Sequence, residues 1–192
     1  MDCNTILTIE TILLKNIAQG NQEAFKQLYV LYKNKVYNTA IGYLQNIEEA
    51  EEITQDVFLT IYNKANTFKG KSKVGTWIYR ITVNKALNQL EKKKRSPLSG
   101  NGIMEWESVD FDHPGIQLEN KEKARFLFAE INKLSENQKT AFLLSYVEGL
   151  PRQEVADIME ITLKSVESLL QRAKQNLRKQ LIAIYPEGNQ KK

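Results

Sequence analysis

Four side chains on one short stretch carry the first sign of recognition chemistry: Glu48, Glu52 and Asp56, each four residues from the next, with Gln55 beside them. If NIEEAEEITQDVFLTIYNKA is a helix, that spacing lines the carboxylates up along one face. Like charges so placed cost roughly 0.2–0.5 kcal/mol per pair in an isolated helix. The helix dipole favours acids in the first turn, which accounts for Glu48 and Glu49. It does not account for Asp56, two turns further in. A stripe kept at that cost points to a basic partner surface.

Immediately downstream the sign inverts. Between Phe68 and Arg95 the cations are Lys69, Lys71, Lys73, Arg80, Lys85, Lys92, Lys93, Lys94 and Arg95, against the single acid Glu91. Phe68 to Gly75 reads as a Gly- and Lys-rich loop, and Thr76 is placed to cap the helix that follows. On that helix Tyr79, Val83, Ala86, Leu87 and Leu90 cover one broad side, and Ile78 with Ile81 another. A helix apolar around most of its girth is largely buried. The narrow polar seam left open is Arg80, Asn84 and Asn88, with Trp77 at its edge. Cations, amides and an aromatic together suit unpaired bases, which proteins stack and hydrogen-bond. The plainer alternative makes Trp77 core and the lysines a solvated face.

The elements that must position these groups are helical. Asn46 with Glu49 forms a capping box, after which Ile47, Ala50, Ile53, Thr54, Val57, Ile61 and Ala65 face a core. Upstream, Ile12 to Ile17 is a short helix ending at Gly20. Glu23 to Leu44 follows, with Phe25, Leu28, Leu31, Tyr32, Val36, Tyr37, Ala40, Ile41 and Leu44 at three- and four-residue steps. No stretch alternates with period two for long enough to be a strand. Residues 1–95 are therefore expected to form a bundle of about four helices.

Residues 96–113 break the pattern. SPLSGNGIMEWESVDFDHP is rich in Ser, Gly, Asn and Pro and carries four acids without a cation. It is too long for an ordinary loop inside a compact domain and reads as a flexible linker. Its aromatics Trp106 and Phe111 suggest that part of it docks. Helices resume after Pro114, in a second domain over residues 114–192. Leu118 to Leu134 is one helix, and Ser135 with Gln138 makes a second capping box opening a helix that ends at Gly149. In EVADIMEITLKSVESLLQRAK, Val155, Met159, Ile161, Val166 and Leu169 are apolar and small Ala156 permits close approach. Glu160-Ile161-Thr162 is the connecting turn, and Thr162 caps the next helix. That mask is a helix-turn-helix, whose second helix enters a DNA major groove. The residues offered there are Lys164, Ser165, Glu167, Ser168, Gln171, Arg172 and Gln175, with Lys174, Arg178 and Lys179 placed for phosphates. An antiparallel helix pair with no DNA role is the competing reading.

Composition bounds the rest. At 192 residues, 42% hydrophobic and 26% charged, the chain is a soluble globular protein; the net charge of +4 is less informative than its segregation. One cysteine, Cys3, excludes an internal disulfide and fits a reducing compartment. With one Cys and one His (His113), no metal cluster of the usual Cys/His spacing forms. The apolar N-terminal run is interrupted by Glu10 and Lys15 and lacks a basic region before it, so it is no signal peptide. No run approaches the roughly 20 apolar residues of a membrane span. A cytoplasmic, non-enzymatic protein is expected, since no phosphate loop, metal constellation or nucleophile–base signature is present.

The order of features resembles the bacterial RNA polymerase sigma factors of the extracytoplasmic-function (ECF) group. The resemblance rests on AEEITQDVFLTIY (Ala50–Tyr62), the F-x-G loop (Phe68–Gly70), T-W-I-Y-R-I-x-x-N (Thr76–Asn84), E-V-A-x-I (Glu154–Ile158) and V-x-S-x-x-x-R-A-K (Val166–Lys174). It implies an all-α fold of two small helical domains joined by a flexible linker. It also implies no cofactor and no small-molecule substrate. The implied partners are core RNA polymerase, met through the clamp helices of the largest subunit and the flap of the second-largest, promoter DNA, and an anti-sigma factor. Glu52, Gln55, Asp56 and Phe58 fall in the segment that binds the clamp helices. Phe68 to Val74, with Lys69, Lys71 and Lys73, matches the loop that pockets a flipped minus-ten base. Trp77, Arg80, Asn84 and Asn88 lie on the helix that meets the melted strand, while Ser168, Gln171 and Arg172 match minus-thirty-five reading positions. The linker would thread toward the active-site and RNA-exit channel. A stand-alone helix-turn-helix regulator is the alternative. Glu160 departs from the family, standing where the turn often has Gly; so do Glu167 and Leu169, where many relatives carry basic residues.

Overall fold

A computed structural model describes residues 8–95 and 121–184, and every regular element among them is helical. The chain divides into two compact units, Met1–Asn101 and Gly102–Lys192. The cut falls within the segment expected to link them. That segment, with Trp106, Phe111 and His113, lies outside the described residues, as does Cys3.

The first unit holds α1 (Ile9–Ala18), α2 (Gln22–Leu44), α3 (Ile47–Lys64) and α4 (Val74–Arg95). α2 is the central post, packing on α1, α3 and α4. Leu28, Tyr32, Val36, Ala40 and Leu44 are buried along it, and its last turns are enclosed on all sides. The helix stops where Gln45 turns to φ 52 and returns its N–H to the Ile41 carbonyl. Asn46 then opens α3, its side-chain oxygen accepting from the Glu49 N–H at 2.9 Å.

Several expectations change. α1 begins at Ile9, three residues before Ile12, because the Thr8 hydroxyl accepts from the Thr11 N–H. Thr76 caps nothing: α4 begins at Val74, the Lys73 carbonyl accepts from the Trp77 N–H, and Thr76 is buried inside the first turn. The start of α4 lies hard against α2, where a Cβ at Gly75 would come within 3.2 Å of the Tyr32 hydroxyl oxygen. That hydroxyl donates to Glu10 at 2.6 Å and so ties α1 to the same point. Leu31, expected in the core, is 51% exposed, and Ile47 is 38% exposed. Each lies on the flank of its apolar stripe, where no helix among the described residues covers it.

The second unit holds α5 (Lys121–Asn132), α6 (Glu136–Phe142), α7 (Arg152–Met159) and α8 (Leu163–Ile184). α6 does not run as one α-helix to Gly149. From Leu143 to Val147 it widens into a π-turn, and the Glu148 N–H reaches the Leu143 carbonyl five residues back. The wider turn carries Leu143, Leu144 and Val147 into the core. α8 packs on α5, α6 and α7 through Val166, Leu170, Ala173 and Leu177, a stripe at helical spacing. Leu170 and Ile158 supply core that the helix-turn-helix mask omitted, while Leu169 is only half-buried.

Neither capping box closes reciprocally, and for one reason. The Glu49 carboxylate, which would return to Asn46, instead pairs with Lys93 of α4 at 2.6 Å. Gln138, which would return to Ser135, accepts from Asn176 of α8 at 3.1 Å, and Ser135 makes no side-chain cap bond. In both cases a helix from far along the chain takes the side chain that local geometry reserves for the cap.

Candidate functional site

On α3 the stripe is present: Glu48, Glu52, Gln55 and Asp56 are exposed. Phe58 is not; it is 3% exposed and packs against Phe25 and Tyr29, with ring centroids at 6.3 and 4.6 Å. Phe58 thus supports this face from beneath, and beyond the first residue, Ile47, the large apolar side chains α3 leaves outside are Leu59 and Tyr62. Glu51 of α3 acts on Tyr37: burial, then the Glu51 charge, raises the Tyr37 hydroxyl above its ordinary value.

The stripe also has an internal counterpart. Lys85 of α4 reaches Asp56 at 3.3 Å, and Lys93 holds Glu49. A cleft of about 320 Å³ runs between the two helices, lined by Glu52 and Asp56 from α3 and by Lys85, Asn88 and Lys92 from α4. The acidic and basic surfaces therefore adjoin. Asp56 keeps about half its side chain in solvent within the pair, with 53% exposed.

The α4 seam is open as its pattern requires. Asn84 and Asn88 are exposed, Arg80 and Trp77 half-buried. Trp77 is neither plain core nor free: its ring lies 5.5 Å from that of Phe68. Gly70 holds a positive φ of 68 in the loop between, a conformation that favours glycine. Lys69, Lys71 and Lys73 are all exposed there. A second cleft, about 370 Å³, is lined by Phe68, Lys69, Gly70 and Ala65 on the loop side and by Thr11, Leu14 and Lys15 on α1. From the sequence Lys15 stood out only as a break in the apolar run, and Thr11 not at all. They lie some fifty residues upstream, and only folding brings α1 to the loop.

In the second unit α7 and α8 form the helix-turn-helix. Thr162 caps α8 as expected, accepting from the Ser165 N–H at 3.1 Å, and the two hydroxyls lie 2.8 Å apart. The turn begins with Glu160 at φ 56, ψ 38, the left-handed conformation that favours glycine. Lys164, Gln171, Arg172 and Gln175 are exposed opposite the buried stripe, and Ser168 is half-buried. Arg172 donates to the Ser168 hydroxyl at 2.8 Å, which orients the guanidinium along the helix.

Two members of the predicted set are drawn to the flanks. Glu167 lies 3.6 Å from Arg152 at the start of α7, so the acid has an internal cation beside it. The Lys174 ammonium sits 4.5 Å above the Tyr146 ring, on the π-turn. One acid and one cation leave together, so the net charge of the face opposite the core is unchanged but its centre carries no carboxylate: Lys164, Ser168, Gln171 and Arg172 remain there. Arg152 and Tyr146 carried no sequence signal for these roles.

A helical bundle carrying a loop-and-seam surface, together with a separate helix-turn-helix unit, defines a modular nucleic-acid-binding architecture. The family described as sigma-70 region 2 matches residues 28–96, and that described as sigma-70, region 4 matches residues 127–177. The chain is 31% identical over 171 residues to the ECF RNA polymerase sigma-E factor of Haemophilus influenzae, covering 85% of this chain and 90% of that one. It is 29% identical over 176 residues to the ECF RNA polymerase sigma factor SigW of Bacillus subtilis, covering 88% and 94%. The fold is shared with the sigma factor RpoE of Bartonella quintana, solved with the anti-sigma factor NepR, at a TM-score of 0.66 and 22% identity over 82% of this chain and 96% of that one. The chain belongs to the ECF RNA polymerase sigma factors. Among the described residues no helix is long and apolar enough to cross a membrane.

Proposed function

We propose that this chain is the promoter-specificity subunit of a bacterial RNA polymerase, acting in the cytoplasm without catalysing a reaction of its own. The observation that carries the reading is the adjoining pair of surfaces on the first unit. An exposed carboxylate face on α3 borders an amide, cation and aromatic seam on α4, so one bundle can hold a basic polymerase element and an unpaired strand side by side. In this reading Glu52, Gln55 and Asp56 meet the clamp helices of the largest subunit, with Phe58 bracing them. Trp77, Arg80, Asn84 and Asn88 meet the melted minus-ten strand, with Phe68, Lys69, Lys71 and Lys73 on the adjoining loop. α8 enters the major groove of the minus-thirty-five element through Lys164, Ser168, Gln171 and Arg172. Ser165 chiefly stabilises the helix start, while Glu167 and Lys174 act from its flank. The flap of the second-largest subunit engages the second unit, residues 96–113 link the two, and an anti-sigma factor competes for the same surfaces.

Reconstitution tests this directly. The purified chain is mixed with core polymerase lacking any sigma factor and offered a genomic promoter library. Co-elution with core and transcription from a defined promoter subset are expected. DNA binding by the chain alone, unchanged by core, would replace this reading with that of a stand-alone regulator.

A further inference from the structure

The cleft between α1 and the Phe68 loop is built partly from residues that no part of the assigned function uses. Its α1 wall, Thr11, Leu14 and Lys15, lies outside both family matches, the first of which begins at residue 28. At about 370 Å³ it falls in the range of small-ligand sites, roughly 300–1,000 Å³. The floor is apolar, with Leu14 and Ala65 buried, and the half-buried Phe68 ring beside them. Exposed lysines stand on opposite walls, Lys15 on α1 and Lys69 on the loop. The half-buried Thr11 hydroxyl is the neutral hydrogen-bonding group on the rim, 3.0 Å from that of Thr8. Phe68 also contacts Trp77, so the cleft continues the α4 seam.

We infer that α1 is part of the single-strand site: Lys15 clamps a phosphate opposite Lys69, and Thr11 hydrogen-bonds the edge of an unpaired base lodged between them. The inference rests on the reading above that this loop faces the opened strand. The chemistry fits one nucleotide well. An apolar floor with an aromatic wall accepts the π-face of any base. Two cations across the mouth hold its phosphates, and one hydroxyl, both donor and acceptor, lets the site discriminate among base edges. A duplex cannot present a single base to such a cleft without unstacking it.

The test uses holoenzyme and premelted bubbles whose minus-ten non-template strand is randomised, with the bound pool sequenced. Lys15→Ala is expected to weaken bubble binding uniformly across sequences and to lower the slope of log affinity against log salt by about 0.7, the value for one single-strand phosphate contact. Lys15→Arg restores both. Thr11→Val is expected to flatten the base preference at one position while leaving the others unchanged. Binding to intact minus-thirty-five duplex stays as in wild type for all three. If Lys15→Ala keeps the wild-type salt slope and Thr11→Val keeps the wild-type base profile, while Lys69→Ala lowers the slope, α1 is not part of the site and the inference falls alone. If wild-type holoenzyme itself selects no base in the bubble, the reading of the loop falls with it. Free mononucleotides competing as well as the bubble would replace the strand with a soluble nucleotide as ligand and overturn the proposal.

Discussion

Asp56 has two partners in prospect, Lys85 within the chain and a basic element on polymerase, and reversing charges separates them. Their side chains are 53% and 27% exposed and their charges 3.3 Å apart. Two unit charges at that distance attract by about 1.3 kcal/mol at the dielectric of water and about 5 kcal/mol at an effective value of 20. Screening and side-chain entropy bring exposed pairs down to about 0.2–1 kcal/mol in practice. Losing the pair therefore removes at most about 1 kcal/mol from a fold whose stability is of order 5–15 kcal/mol. A charge lost from a buried, hydrogen-bonded intermolecular pair costs far more, about 2–5 kcal/mol. That corresponds to roughly 30-fold to more than 1,000-fold in affinity. Asp56→Lys should thus keep the helical circular dichroism and most of the melting temperature while losing core binding, read by fluorescence titration with core polymerase. The decisive variant is the swap, Asp56→Lys with Lys85→Asp. It restores the internal attraction but leaves the stripe with a cation where a partner meets an acid. The swap should regain stability and stay defective for core. Restored core binding in the swap would show that Asp56 acts only by holding α4, and the interface assignment would be refuted.

Four further outcomes follow from the same geometry. Arg172→Ala, which removes the guanidinium proposed to face the groove, should weaken holoenzyme binding to intact promoter by about 1–3 kcal/mol, most strongly at one base pair. Asn84→Ala should spare duplex binding and slow promoter opening, followed by permanganate reactivity of unpaired thymines; normal opening would remove Asn84 from the strand site. Glu160→Gly relieves a left-handed residue worth about 1–2 kcal/mol, offset by about 0.5–1 kcal/mol of added chain freedom. The net gain of about 0.5–1 kcal/mol should raise the melting temperature by a few degrees, and a loss would mean that the Glu160 side chain matters more than its backbone. Tyr37 is held neutral by burial and by Glu51, so its ionisation is easier in the unfolded chain. Its contribution to stability is complete below the unfolded value near pH ~10 and is lost as pH rises through the higher folded value. Tyr37→Phe should flatten denaturation midpoints measured across that alkaline range.

Which segments are helices was legible in the residues because helix formation is decided within a turn or two. The three- and four-residue apolar spacing marked α2 and α3 to within a few positions, along with the body of α4 and the first turns of α8. Asn46 and Thr162 cap where their types predict, since a cap bond closes over three residues whatever else the chain does. The helix-turn-helix was legible for the same reason, down to the turn at Glu160-Ile161-Thr162. Which polar side chains remain free for partners was not legible. Glu49 and Gln138 satisfy every local rule for a capping box, yet Lys93 and Asn176 claim them from other helices. Phe58 and Leu31 are both apolar at helical spacing, but Phe58 is enclosed by Phe25 and Tyr29 while Leu31 faces solvent. Glu167 and Lys174 belong to the right helix and leave the centre of its outward face because Arg152 and Tyr146 stand beside them. Lys15 meets Lys69 across a cleft only because α1 folds back onto the loop. Long polar side chains choose among partners by reach, and reach depends on where distant helices pack. Local pattern therefore determined the helices, and tertiary packing decided which of their side chains were left to read DNA or bind polymerase.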